Sequence, residues 1–356
     1  MRRVWTILKR IGKVLLWIVG VLAVLGIGIF IWLRVEPAEV TECDAGFTLL
    51  EHGEGAACIP DDADRVLGLG SVTNQLFTAV EHPWAVVVES MVSIGSADIP
   101  GLEEKMRNVN EGVVNLGFID GSVSRALELL LEIDPDVILV EISPGDLLKP
   151  AETIAPVVVM THLDTWKEMT LLSGELIDKE VEAAELLAAY DERVAILQAQ
   201  FDDPSAITIS NIRLHPSRHT IQLPTSFSGQ IISEVGFSFP EGQLELIEET
   251  PEMLFIEISD ERIDLLDGDY MLYYSGSPDE VLATIDADGD SVVDDFRNDP
   301  LYQFLGAVEA GNDYEVDMHW RVAGIYSAHA ILDDLFRYVA GVDPDVVAPN
   351  PMKLSE

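Results

Sequence analysis

Arg213 stands directly after the apolar run Ile207–Ile212, in a chain of 356 residues that holds 21 Lys and Arg against 63 Asp and Glu. A guanidinium there offers a rigid fork of N–H donors that matches carboxylate and similar anionic oxygens. A structural ion pair with one of the many acids is the competing role. Ligands of open α/β sheets bind beyond the carboxyl ends of the strands. That rule selects residues 71–74, 141–143 and 161–162 in the first half of the chain, and 213–215, 274–276 and 319–321 in the second. Candidate contacts on these segments are Thr73, Asn74, Ser143, Arg213, Tyr274 and Trp320. Trp320, Trp166 and Tyr274 suit the walls of an apolar cleft, whereas Trp84 reads as core.

Other chemistry finds less support. His162, His215 and His219 lack paired spacing, so they read as satisfied core or surface side chains rather than ligands of iron or zinc. Asp286, Asp288 and Asp290 alternate like the first carboxylates of a calcium loop. Ser291 holds the place of the turn glycine there, and Arg297 that of the bidentate Glu. The run therefore reads as a solvated acidic loop, with calcium as the lesser alternative. There is no Gly-x-Ser-x-Gly elbow, phosphate loop or His-Glu-x-x-His. Neither enzymatic chemistry nor a resident cofactor is expected.

The elements that must position these residues alternate strand and helix. In the first half, strands are expected over 65–69, 85–89, 137–140 and 155–159, with helices over 73–80, 122–132 and 146–153. In the second, strands are expected over 206–212, 254–258 and 271–274, with helices over 227–235, 301–308 and 327–339. Such alternation implies mostly parallel sheets covered on both faces. Between the halves, Ile177, Val181, Ala184, Leu187, Tyr190, Val194, Leu197 and Phe201 repeat at helical spacing. One uninterrupted helix from Gly174 to Phe201 would be about 40 Å long. It would join two lobes with a cleft between them, although a crossover helix within one large sheet fits the same pattern.

The first 35 residues hold no acid, and Arg2, Arg3, Lys9, Arg10 and Lys13 precede a 20-residue apolar run, Val14 to Leu33. That is long enough to span a bilayer. Arg34-Val35-Glu36-Pro37 is a poor cleavage context, so an uncleaved anchor is expected, with a cleaved signal peptide as the alternative and the rest of the chain outside the cytoplasm. Beyond residue 35, 15 Lys and Arg face all 63 acids, a net charge of −48. Nucleic acid is excluded as a partner and anionic lipid surfaces are disfavoured. Cys43 and Cys58 lie just outside the anchor; an oxidising compartment would let them staple a hairpin, worth about 3 kcal/mol by loop closure. Two free thiols are the alternative.

In order and spacing, several stretches resemble the iron–siderophore and cobalamin substrate-binding proteins of ABC importers. They are Arg65–Leu69 with Thr73 and Leu76, Asn115-Leu116-Gly117, Leu127–Val140 with its Asp134-Pro135-Asp136 turn, and Ile154–Val157 before Trp166-Lys167-Glu168. The second half adds Arg213, Ser226–Gly229, Glu234–Phe237 with Pro240, Trp320 and Leu332–Leu335. Together they span about 60–340, and the Cys43–Cys58 hairpin resembles that of a subgroup. In the family a Glu commonly follows the Thr of the first helix, where Asn74 stands here.

The resemblance implies two Rossmann-like α/β lobes bridged by a single long helix, the class III periplasmic-binding-protein arrangement, to which the apolar run 14–33 adds an N-terminal transmembrane helix. The expected domains are an anchor (1–35), a Cys-stapled hairpin and linker (36–62), an N-terminal lobe (63–172), a bridging helix (173–202), a C-terminal lobe (203–342) and a loose tail (343–356). It further implies capture of a ferric–siderophore for an ABC permease by a monomer, with Arg213 supplying charge and Phe227 and Ser228 joining the contacts. Alternatives are cobalamin, haem or a free metal ion as ligand, or an anchored sensor without transport.

Overall fold

The computed structural model describes residues 42–52, 55–83, 92, 95–110, 123–141, 148–160, 165–215, 219–249, 253–275 and 292–354. The expected anchor 14–33, the strand 85–89 with Trp84, Asn115–Gly117, Ser143, His162 and the run Asp286, Asp288, Asp290 lie outside the described residues. Among those described, no helix is long and apolar enough to cross a membrane.

Strands β1 (Phe47–His52) and β2 (Gly55–Pro60) form an antiparallel hairpin. A disulfide joins Cys43 to Cys58. Ile59 is buried, and Leu50 and Ala57 pack on the same core.

The N-terminal lobe runs β3 (Val66–Leu69), α1 (Ser71–Ala79), α2 (Leu102–Val109), α3 (Val123–Ile133), β4 (Val137–Val140), α4 (Leu148–Glu152), β5 (Val157–Val159) and α5 (Trp166–Glu175). Its described strands are parallel in the order β3-β4-β5. Every residue of β4 and β5 is buried, as parallel strands covered on both faces require. The Asp136 carboxylate accepts the backbone N–H groups of Asp64 and Arg65, at 3.0 and 2.8 Å, and so sets β3 beside β4.

The expected single strut is two helices. After α5 the chain turns through 176–179, with Asp178 left-handed at φ 54°, and α6 (Glu180–Gln198) follows. Its 19 residues reach about 28 Å rather than 40 Å. Gly174 lets the two helices fold against each other. A Cβ there would lie 2.7 Å from the Ala183 methyl, so its absence lets α5 pack closely against α6. The turn also shifts the buried face: Ala183 is buried, while Val181 and Ala184 are exposed.

The C-terminal lobe runs β6 (Ile209–Leu214), β7 (His219–Gln222), α7 (Phe227–Val235), α8 (Glu241–Glu249), β8 (Phe255–Ile258), β9 (Tyr270–Ser275), α9 (Val292–Asn298), α10 (Gly306–Ala310), β10 (Asp313–Glu315), α11 (Ile325–Asp334) and α12 (Pro344–Val347). The sheet is mixed, in the order β10-β9-β6-β7-β8. Strand β7 is antiparallel to β6 and β8. Only residues 215–218 separate β6 from β7, too few for a parallel crossover. The expected helix 301–308 is a 3-10 turn followed by α10, and the one over 327–339 is α11 followed by a π-helical turn. Residues 204–206 form a 3-10 turn ahead of β6, not its start.

The inner faces of the two sheets share one apolar core, which includes Leu139 and Val158 from one lobe, Leu187 and Leu197 from α6, and Ile209 and Leu272 from the other. Each sheet has its own outer core. Across the lobes, Lys167 at the start of α5 pairs with Asp191 on α6 (2.7 Å) and Glu234 on α7 (3.0 Å). The Tyr190 hydroxyl donates to the same Glu234. Arg193, buried on α6, donates to the carbonyls of Ala348 and His329 and pairs with Asp333. Asn350 also donates to Asp333. The expected loose tail is therefore docked on α6 and α11, with Ala348 buried.

Two outcomes are expected of these ties. Burial, then the Arg193 charge, lowers the His329 imidazole to about 3. The unfolded chain therefore takes up a proton below pH 6.5 that the native chain refuses, and stability falls with acidification from 6.5 towards 3. At pH 5 this amounts to about 2 kcal/mol. Urea titrations at pH 7 and pH 5 should show that difference shrinking in His329→Gln. Separately, Lys167→Met and Glu234→Gln should each lower stability by about 1 kcal/mol, the pair being only partly exposed. In a double-mutant cycle the two losses should be less than additive.

Candidate functional site

Strands β6 and β9 run side by side in parallel, with Arg213 opposite Tyr274 near their C-terminal ends. Alternation along β6 puts Asn211 and Arg213 on the inner face, where α7 packs. Arg213 is half-buried at the rim and Tyr274 is fully buried beneath it. Arg321 arrives from the end of a 3-10 turn, Met318–Trp320, that packs against β9. Burial pushes the Tyr274 hydroxyl up to about 12, against the pull of Arg321 and then Arg213. The Tyr274 oxygen and the Arg321 Nε are both buried, and neither has a hydrogen-bond partner of good geometry. Two guanidinium groups thus converge on a phenol that still has hydrogen-bonding capacity. A buried polar atom in that state is stabilised by whatever oxygen or donor reaches it.

The N-terminal lobe offers a different wall. Glu141 directly follows β4 and folds back on the first turn of α1. Its carboxylate accepts the backbone N–H groups of Ser71 and Thr73, each at 2.9 Å. Helix α1 has no side-chain cap and no acid in its first turn, so Glu141 supplies the missing negative end from another strand. Gly70 leaves room for it, since a Cβ there would lie 2.0 Å from the carboxyl carbon. Burial raises this carboxyl to about 7, against the hydrogen bonds from Thr73 and Ser71.

Behind that wall, Thr73 is fully buried, its hydroxyl 3.4 Å from that of Ser173. Asn74 is buried with both amide atoms lacking partners. Gln75 donates to the Gly95 carbonyl and the Ser327 hydroxyl and accepts the Ser327 N–H, tying α1 to α11.

Between the lobes, Trp166 and Phe227 are the first residues of α5 and α7, helices capped by Thr165 and Ser226. Trp166 meets Phe227 edge-on at 5.7 Å and Tyr190 at 5.0 Å.

Other expected contacts take a different place. Trp320 is fully buried and donates its Nε1 to Asp334 at 2.9 Å, where His319 also bonds. It is a core residue rather than a cleft wall. Ser228 is buried and accepts a 2.6 Å hydrogen bond from Asn211, so its hydroxyl fixes α7 to β6. Trp166 is almost wholly buried as well and holds the lobes together more than it faces solvent. Half-buried Phe227, Arg213, Arg321 and Glu141 are the side chains that reach the surface. Arg321 and Glu141 both lie on segments that the strand-end rule selects, and charge at a strand end is the signal that marks them beside Trp320 and Ser143.

A hollow at the opposite end of the second sheet is lined by Thr208, Asp267, Asp269 and Asn312. Its carboxylates are engaged, Asp267 on the N–H groups of Gly306 and Ala307 and Asp269 on Thr208. Among the described residues no cluster of three His, Cys, Asp or Glu could hold a metal ion.

The family profile described as periplasmic binding protein matches residues 88–318, well over half of the chain. The probable siderophore-binding lipoprotein YfiY of Bacillus subtilis is 28% identical over 233 residues, covering 64% of this chain and 69% of that one. The achromobactin-binding periplasmic protein of Dickeya dadantii is 26% identical over 248 residues, covering 67% and 75%. Among solved structures, Staphylococcus aureus SirA complexed with staphyloferrin B superposes with a TM-score of 0.68 at 21% identity, covering 82% of this chain and 98% of that one. FeuA of Bacillus subtilis complexed with ferri-bacillibactin gives 0.66 at 18% identity, covering 83% and 98%. The class III fold of two α/β lobes is common to them. With a profile match that runs from the first lobe through α6 to the turn carrying Trp320, this chain belongs to the periplasmic binding protein family.

Proposed function

We propose that this chain captures a ferric siderophore outside the cytoplasm and delivers it to an ABC permease. The observation that carries the reading is the convergence of Arg213 and Arg321 on the buried Tyr274 hydroxyl at the ends of β6 and β9. Siderophores wrap ferric iron in anionic oxygens, and a forked guanidinium binds such oxygens in two parallel hydrogen bonds. The phenol beneath them adds a directed donor that stays protonated at any physiological pH. Phe227 offers an apolar edge to the organic part of the chelate. The names of the relatives support this ligand class: one is a probable siderophore-binding lipoprotein and another binds achromobactin.

The remainder of the reading follows from this placement. The apolar run 14–33 would anchor the protein beside its permease and raise its effective concentration there. The protein works as a monomer, since one chain supplies both walls. Iron enters as cargo inside the chelate.

The test is tryptophan-fluorescence titration of the detergent-solubilised full chain with ferric citrate, ferric enterobactin, ferric achromobactin, cobalamin and haem. Saturable quenching by a ferric chelate is expected, weakened about tenfold to a hundredfold in Arg213→Gln and again in Arg321→Gln, the range for hydrogen bonds to a charged group. Binding of cobalamin or haem alone, or ferric-chelate affinities unmoved by both substitutions, would overturn it.

A further inference from the structure

The N-terminal amides of α1 are an evident place for an anionic oxygen in the first lobe, yet this chain already fills it. The Glu141 carboxylate takes the Ser71 and Thr73 N–H groups at 2.9 Å each, and Gly70 makes room for it. Glu141 remains partly exposed at the carboxyl end of β4, where a ligand of this fold arrives. Beside the same turn, Asn74 is 1% exposed with its amide nitrogen and oxygen both unpartnered; its Oδ1 lies 3.3 Å from where a Cβ on Gly68 would sit. At one helix start the chain thus sets a carboxylate already holding the amides beside an Asn74 amide that has no partner.

We propose that Glu141 makes capture of an anionic ferric chelate proton-linked: its carboxylate holds the α1 amides in the free protein, and the chelate gains that wall only when Glu141 is neutral. The proposal rests on the ferric-chelate reading above. An ionised Glu141 repels anionic oxygens and occupies the donors they would use. A neutral carboxyl loosens its hold on the amides and turns an O–H donor towards the ligand. One proton is taken up with each chelate bound. The affinity therefore rises as pH falls through the range where burial has placed this carboxyl, about 7.

Among the described residues, neighbouring charges leave the linkage to Glu141. Strands β3 and β5 and helix α1 carry no ionisable side chain. On α5, Lys167 is held by Asp191 and Glu234, Glu168 caps its own helix at Thr165, and Glu175 is exposed. Glu128 and Glu132 on α3 are exposed as well. Arg213 and Arg321 keep their charge throughout, and Tyr274 keeps its proton.

The experiment measures Kd for ferric citrate and ferric enterobactin at pH 6.0 and pH 8.5, in the full chain and in Glu141→Gln. Titration of the chelates themselves is common to both proteins and cancels in the comparison. The wild-type affinity should fall about thirtyfold more than that of the variant over this range, as loss of one proton from a group near 7 requires. At pH 8.5 the variant should bind more tightly. Parallel pH profiles, or weaker binding by Glu141→Gln at both pH values, would overturn the proposal while leaving the ferric-chelate reading in place. Failure of every ferric chelate to bind either protein would remove both. Carbon-13 NMR of the wild-type Glu carboxyls needs no variant. The Glu141 resonance should titrate near pH 7 in the free chain and at higher pH with the gallium(III) chelate bound; an unmoved titration would also sink the idea.

Discussion

The inner faces of the two sheets bury into a single apolar core, and the rest of the molecule depends on that continuity. Leu187 and Leu197 of α6 pack between Leu139 and Val158 of one lobe and Ile209 and Leu272 of the other. Separating the lobes would expose the Trp166, Tyr190 and Phe227 contacts, whose edge-on rings add to their buried area. It would also break the Gln75–Ser327 clasp and the Lys167–Glu234 pair. Opening by a wide hinge is therefore costly. Arg193 strengthens this from behind. Its guanidinium is buried, but two carbonyls, a carboxylate and the His329 ring satisfy it, so the charge fixes the register of α6, α11 and the docked C-terminal segment.

The Tyr274 oxygen, the Arg321 Nε and the Asn74 amide are buried without a partner of ideal geometry. A ligand that supplies such geometry gains free energy by satisfying them. Such contacts matter more here than in a neutral protein. The chain carries a net charge of −42, so its long-range field repels an anionic chelate and slows encounter at low ionic strength. Recognition must then come from contacts at short range, where two guanidiniums outweigh a diffuse and screened surface charge.

The sequence made much of this arrangement legible. Apolar runs such as Val137–Val140 and Ile207–Ile212 located central strands, and the strand-end rule selects Arg213 and Tyr274, which the register sets side by side. Strand β7 escaped notice because His219-Thr-Ile-Gln222 has only one apolar residue, its burial coming from both neighbouring strands. The break between α5 and α6 was marked by Gly174 and Asp178, but a continuous apolar repeat on either side masked it. Aromatic residues were the hardest to place. A cleft wall and a core both want an apolar surface, and what decided Trp320 was Asp334, a partner 14 residues away that accepts its N–H. Ser228 was settled in the same way by Asn211, which belongs to another strand. Such pairings are properties of the folded chain and leave no trace at the residue itself.

The two lobes end up electrostatically unlike, and this asymmetry has a consequence for the order of events. The second lobe presents permanent cations at its strand ends, while the first presents a carboxyl whose charge is conditional. An approaching anion is attracted by Arg213 and Arg321 whatever the pH, so first contact belongs to the second lobe. On the proposed linkage, the first lobe completes its part of the binding surface only after Glu141 changes state, because an ionised carboxylate and an anionic oxygen cannot share the Ser71 and Thr73 amides. A protein whose lobes are locked together has little domain motion with which to switch between holding and releasing. A single proton on one rigidly placed side chain would supply that switch without moving the core.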